Sequence, residues 1–166
     1  MDGSKKLLWV ALCWVAISGP LGVSASFARE LEGRLGVGYN SEFGYPLGIP
    51  GISAKYGLTR EMAVEFVGGV ATTSPASSVF GVKLFRNLFY ENHLNFYFMG
   101  GGALLSVTGN SGTELLAGVG AEFFIPGVDS LGLAVETGLS FGNSSGTYAI
   151  KTLGVSFLNA GIHFYF

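Results

Sequence analysis

Eight charged residues stand inside otherwise apolar, alternating stretches: Glu32, Arg34, Lys55, Glu65, Lys83, Glu114, Glu122 and Glu136. His163 stands in the same relation to Ile162 and Phe164. Carboxylates, amines and imidazole gathered in one place could do two kinds of chemistry. They could move protons or ions, as a catalytic cluster or a gated polar path. Or they could neutralise one another, because an unpaired buried charge is costly. The mixture of signs favours the second, a structural plug of ion pairs. Metal and cofactor chemistry finds no support: His93 and His163 lie far apart, and no HExxH or Cys-rich spacing occurs.

What must position these charges is a chain that alternates. "GISAKYGLT" sets Ile52, Ala54, Tyr56 and Leu58 against Ser53, Lys55 and Gly57, and "MAVEFVGGV" sets Met62, Val64 and Phe66 against Ala63, Glu65 and Val67. The same period of two runs through "ELEGRLGVGY", "VFGVKLF", "LNFYFMGGGALL", "ELLAGVGAEFF", "LGLAVETGLSF" and a last stretch from about Thr152 to Phe166. Period two is the signature of a strand with two unlike faces. The count is about eight strands of ~8–12 residues, near the length a tilted membrane strand needs.

Composition agrees. Hydrophobic residues make up 49% and charged residues 12% of 166, and mean hydropathy is +0.48. That is about half the charge of an ordinary soluble domain. Past the N-terminus no apolar run reaches the ~20 residues a membrane helix requires, and the 27 glycines disfavour helices further. The net charge of −2 and pI near 5.6 leave no basic footprint for nucleic acid.

Residues 1–28 read as a secretory signal peptide. Lys5 and Lys6 supply its positive start, Leu7 to Ile17 its apolar centre, and Ser26-Phe27-Ala28 its cleavage site, with Val23-Ser24-Ala25 as the alternative. Cys13, the only cysteine, lies within that centre. Leu12 precedes it where lipid attachment wants a small residue, so acylation is not expected. Residues 29–166 form the remaining domain.

An open sheet cannot cross a bilayer, because its edge N–H and C=O groups would go unpaired in hydrocarbon. The fold expected is therefore all-β: an eight-stranded antiparallel up-and-down transmembrane barrel. Its Leu, Val, Ile and Phe face lipid, and its Gly, Ser, Asn and charges face inward. Turns are expected at 59–61, 86–93 and 125–130 on one side, and at 40–50, 72–77, 107–112 and 142–151 on the other. An even strand count puts both ends of the mature chain on one side, the periplasmic one. Aromatic rims are expected from Tyr39, Phe43, Tyr45, Phe80, Phe141 and Tyr148 outside, and from Phe89, Tyr90, Phe123, Phe124, Phe164 and Phe166 inside.

With its signal peptide, its eight alternating segments and its terminal "GIHFYF", the chain resembles the small outer-membrane β-barrel proteins of Gram-negative bacteria, the OmpA/OmpX-like and opacity-type barrels. The resemblance implies outer-membrane localisation, with lipid and lipopolysaccharide around the barrel. It also implies contact with periplasmic chaperones and the barrel-assembly machinery, which would read Ile162, Phe164 and Phe166 as a C-terminal assembly signal. Some eight-stranded members act on lipid A. The deacylase-like type needs His and Ser two apart, but Leu94-Asn95 follow His93, and Phe164-Tyr165 follow His163. The palmitoyltransferase-like type needs an early His and an Asp-Ser pair; Asp129-Ser130 falls in an expected periplasmic turn. No enzyme activity is expected. A structural or surface-interaction barrel comes first, and a narrow pore or carrier of small molecules is the alternative.

If the assembly-signal reading holds, deleting Phe166 slows outer-membrane assembly in cells while the purified chain still refolds in detergent. Assembly at the normal rate in pulse-chase fractionation would leave Phe166 only a structural role.

Overall fold

The computed structural model describes residues 31–43, 49–72, 76–91, 93–107, 110–144, 147–153 and 157–166. The expected signal peptide lies outside them. Alternating apolar and small or polar residues form strands β1 (Leu35–Asn40), β2 (Gly51–Gly57), β3 (Met62–Ala71), β4 (Ser77–Glu91), β5 (Leu94–Val107), β6 (Asn110–Phe124), β7 (Leu131–Ser144), β8 (Thr147–Thr152) and β9 (Asn159–Tyr165). Sequence neighbours from β1 to β8 pair antiparallel, β7 also pairs with β9, and β9 pairs with β1. The sheet is thereby closed.

β8 and β9 occupy a single position in the wall. β7 pairs with Thr147–Thr152 through its second half and with Asn159–Phe164 through its first. The barrel therefore has eight positions, as expected, but its last strand is broken rather than continuous from Thr152. Leu153 N donates to Gly138 O at 3.2 Å, and Thr137 Oγ1 donates to Phe157 O at 3.0 Å, which keeps both margins of the break beside β7.

Three expected turns, at 86–93, 107–112 and 142–151, prove to be mostly strand; β5 runs to Val107 and β6 begins at Asn110. β4 continues to Glu91, with Leu88 bulged between Asn87 and Phe89. Aromatic residues such as Phe89 favour a pleated surface, and the Phe89 ring meets Phe96 across the pair at 6.1 Å. Within 142–151, β7 runs on to Ser144 and β8 begins at Thr147, with Phe141 and Tyr148 stacked at 5.8 Å. At Ile125-Pro126-Gly127-Val128 the turn chemistry reads true. Val128 N donates to Ile125 O at 2.9 Å, and Gly127 takes φ +86°, as a type II turn with proline at its second place requires.

The wall is uneven. β1 and β2 have 6 and 7 residues, whereas β4 and β6 have 15 each. On the low side the chain after β1 turns inward. Glu42 N donates to Asn40 Oδ1 at 2.9 Å, an Asx turn, and Ile49 N donates to Phe43 O at 2.8 Å. Phe43 is fully buried in the barrel core with Val67, Val79, Phe85 and Leu105. It is not the rim residue expected. Nor is Phe124, which packs inside against Tyr165 at 5.8 Å. Tyr45 lies outside the described residues.

Phe43→Ala should cost about 3–5 kcal/mol, the usual range for emptying a buried aromatic site. The urea midpoint of the refolded barrel measures it, and an unchanged midpoint would show that the inward turn contributes nothing to stability.

Candidate functional site

Register places the charges. Reading across the wall, Gly36, Lys55, Glu65, Lys83 and Gly101 lie side by side on β1 to β5, all facing inward. The bare glycines at each end of this row leave room for the long chains between them. A Cβ on Gly101 would lie 2.9 Å from Lys83 Cγ. From the far wall come Glu122 and Glu136, which face into the same space.

Lys83 is the centre. Its Nζ lies 2.6 Å from Glu42, 2.8 Å from Glu65 and 3.6 Å from Glu136, and neither Lys83 nor Glu65 has any exposed surface. Lys55 Nζ pairs with Glu122 at 2.8 Å and lies 4.3 Å from the Phe85 ring and 4.8 Å from that of Tyr97. Neutral donors share the remaining negative charge. Tyr97 Oη donates to Glu136 at 2.7 Å, and Tyr165 Oη to Glu122 at 2.6 Å. Their rings sit over bare positions too: a Cβ on Gly120 would come within 2.7 Å of Tyr97, and one on Gly36 within 2.6 Å of Tyr165. Higher in the barrel, Glu114 accepts from Ser140 and pairs with Lys151 at 3.3 Å.

Of the residues singled out in the sequence, Lys55, Glu65, Lys83, Glu122 and Glu136 thus come together, and Glu114 forms a neighbouring cluster. Glu32 does not join them; it is exposed. Gly33, at φ +73°, turns the chain before β1 begins, so the alternation does not carry back through it. Leu31 and Glu32 exchange the faces expected of them, and Leu31 is buried with Phe124 and Tyr165. Arg34 stands apart at the same end. It donates to Tyr165 O at 3.2 Å and lies over that ring at 5.7 Å. Ile162 and Phe164 face outward; Phe166 is exposed, and its N–H donates to Leu35 O at 2.9 Å.

Sequence reasoning missed Glu42, Tyr97, Tyr165, Ser53 and Ser140. The tyrosines carried a usable signal, since both stand at inward places of alternating strands. Glu42 carried none, because it precedes β2 in a connection.

One part of the site resembles catalytic machinery. Gly38 separates Ser53 from His163 in the register, and its missing side chain lets them meet: Ser53 Oγ lies 2.8 Å from His163 Nε2. A nucleophile–base pair looks like this. The third member is badly placed, however. Glu122 lies 3.6 Å from Nδ1, which has no hydrogen-bond partner among the described residues, and Glu65 competes for Nε2 at 3.3 Å. Ser53 has no exposed surface, so a substrate carbonyl cannot reach its hydroxyl. Among the described residues no group of His, Cys, Asp and Glu is arranged to hold a metal ion.

Comparison with known proteins bears on the fold. No protein-family model matches the chain, and no curated protein does. Among solved structures it is similar to the N-terminal β-barrel domain of Pseudomonas aeruginosa OprF. The TM-score is 0.60 at 13% identity, over 81% of this chain and 98% of that one. The likeness supports a closed eight-stranded antiparallel barrel.

Lys83→Met leaves three buried carboxylates without their ammonium and should destabilise the barrel by about 3–5 kcal/mol. Adding Glu65→Gln should recover part of that loss. Urea midpoints for the single and double variants test this, and additive losses would refute the coupling.

Proposed function

We propose that the protein is a non-enzymatic integral outer-membrane barrel with a structural or surface-interaction role, its interior closed by the ion-pair network. The observation that carries this is the inversion of its faces. Large apolar side chains such as Phe66, Leu84, Leu115, Leu139 and Ile150 stand exposed all round the outer wall, while Lys83, Glu65, Glu122 and Glu136 are buried within. A soluble monomer rarely exposes more than a few hundred Å² of continuous apolar surface. A bilayer removes that cost.

On this reading the turns at 58–61, between β4 and β5, and at 125–130 lie on the periplasmic side with both ends of the mature chain, and the opposite connections face outward. Export by the signal peptide, handling by periplasmic chaperones and assembly through Ile162, Phe164 and Phe166 belong to the same proposal. The fold likeness to the OprF barrel supports it, and the sealed Ser53 argues against hydrolysis.

A specific observation favours a second reading, a narrow pore or small-molecule carrier. Among the described residues, both amide atoms of Asn95 are buried without a hydrogen-bond partner, as are Nδ2 of Asn40 and Asn159. Groups of that kind are ordinarily satisfied by water, and a hydrated lumen is what a narrow path would need.

Cell fractionation decides the main proposal. The mature protein is expected to need detergent for extraction from the outer membrane and to change gel mobility on heating. Finding it free in the periplasm would overturn both readings. Planar-bilayer recording then separates them: a closed barrel gives no steady conductance, and small discrete steps that change with Lys83→Met would establish the pore.

A further inference from the structure

The outer wall carries a groove of about 730 Å³, within the size range of small-molecule sites. Its origin lies in one missing side chain. Across the wall, Tyr39, Ile52, Gly68, Phe80 and Leu104 occupy one outward row on β1 to β5. Gly68 stands between Ile52 and Phe80, and a Cβ there would meet nothing within 4 Å. One row further toward the strand ends, Val70, Ser78 and Ser106 line the same groove. Ser78 and Ser106 are partners across β4 and β5.

The groove is therefore apolar along its length and carries two hydroxyls at one end. No charged side chain is among the described residues that line it. Tyr39 and Phe80 place it at the expected outer aromatic rim, the depth at which acyl chains meet their ester groups. We propose that it holds one acyl chain of a surrounding membrane lipid, packed between Ile52, Val70, Phe80 and Leu104 over Gly68. Ser78 and Ser106 supply O–H donors for the ester carbonyl at the chain's head. The site selects the chain and its ester linkage and is indifferent to headgroup charge, because no charged side chain is among the described residues that line it. This inference rests on the membrane reading above, since the occupant is supplied by the bilayer.

The test uses fluorescence. The chain's two tryptophans, Trp9 and Trp14, lie in the expected signal peptide. Replacing both with Phe gives a tryptophan-free background for the full chain. Into it go Phe80→Trp, in the groove, or Phe141→Trp, outward on β7 and three strands away. Each barrel is reconstituted in phosphatidylcholine vesicles in which a minority of the lipids carry brominated acyl chains, with bromine shallow, central or deep. Folding of every variant is checked by heat-modifiable mobility.

The indole of the Phe80→Trp barrel should be quenched about twofold more strongly at its best depth than that of the Phe141→Trp barrel, a modest local preference for lipid. Gly68→Leu, which fills the groove floor, should remove that excess. Equal quenching in the two barrels would mean ordinary lipid contact and overturn the site. So would an excess that survives Gly68→Leu. Quenching in the Phe141→Trp barrel with none in the Phe80→Trp barrel would also overturn it, by showing the groove covered by another chain. Absence of quenching in both would instead refute the membrane reading itself.

Discussion

Closing a sheet of eight strands into a ring gives every wall residue one of two environments, and the pleat alternates them along each strand. Outside, a residue meets whatever surrounds the barrel. Inside, it meets only the other inward side chains, in a space just wide enough for them to fill. Long inward residues need bare positions nearby to make room for them. Lys83 faces Gly101, Tyr97 lies over Gly120, and Tyr165 over Gly36. The glycine content is thus the complement of the charge network: bare positions flank the row of Lys55, Glu65 and Lys83 and lie under the rings of Tyr97 and Tyr165.

The network's energetic meaning follows from the same constraint. Buried ion pairs seldom add much net stability, because desolvation offsets their attraction. Their stronger effect here is on register. Slipping β4 by one residue would send Lys83 to the apolar outer face and bring Leu84 or Val82 against Glu65 and Glu42. Such a register leaves carboxylates buried and unpaired, at several kcal/mol each. Apolar packing on the outside cannot discriminate as sharply: a slip by two residues merely exchanges Phe80, Val82 and Leu84 on that face, yet still takes Lys83 away from Glu65 and Glu42. The charges therefore select one pairing among several that the outer face would accept.

This separation explains what the sequence reveals. Period two is local, so the strands and the inward direction of Lys55, Glu65, Lys83, Glu122 and Glu136 could be read from neighbouring residues alone, and closure followed from the need to pair the sheet's edges. Failures cluster where local period stops governing. Gly33 resets the alternation and exchanges the faces of Leu31 and Glu32. Phe89 and Tyr148 extend strands into segments whose flanking Asn and Gly residues signalled turns. Contacts across the lumen were not legible at all. Ser53 and His163 meet because Gly38 is bare between them, a relation that involves three strands and a sequence separation of 110 residues.

Glu42 and Phe43 show the reverse case, a connection that behaves as core. β1 and β2 are too short to enclose the lumen to the height of β4 and β6. The segment after Asn40 makes up the difference from within: its Asx turn aims the chain inward, Phe43 fills the space that Gly81 leaves, and Glu42 reaches Lys83. Neither side chain would be held alone. A glutamate entering this space without the ammonium would be an unpaired charge, and a phenylalanine without Gly81 would collide with the wall. The low wall, the bare position on β4 and the central lysine are therefore one adaptation. A change in any of the three should be felt first at this inward turn and only afterwards in the strands.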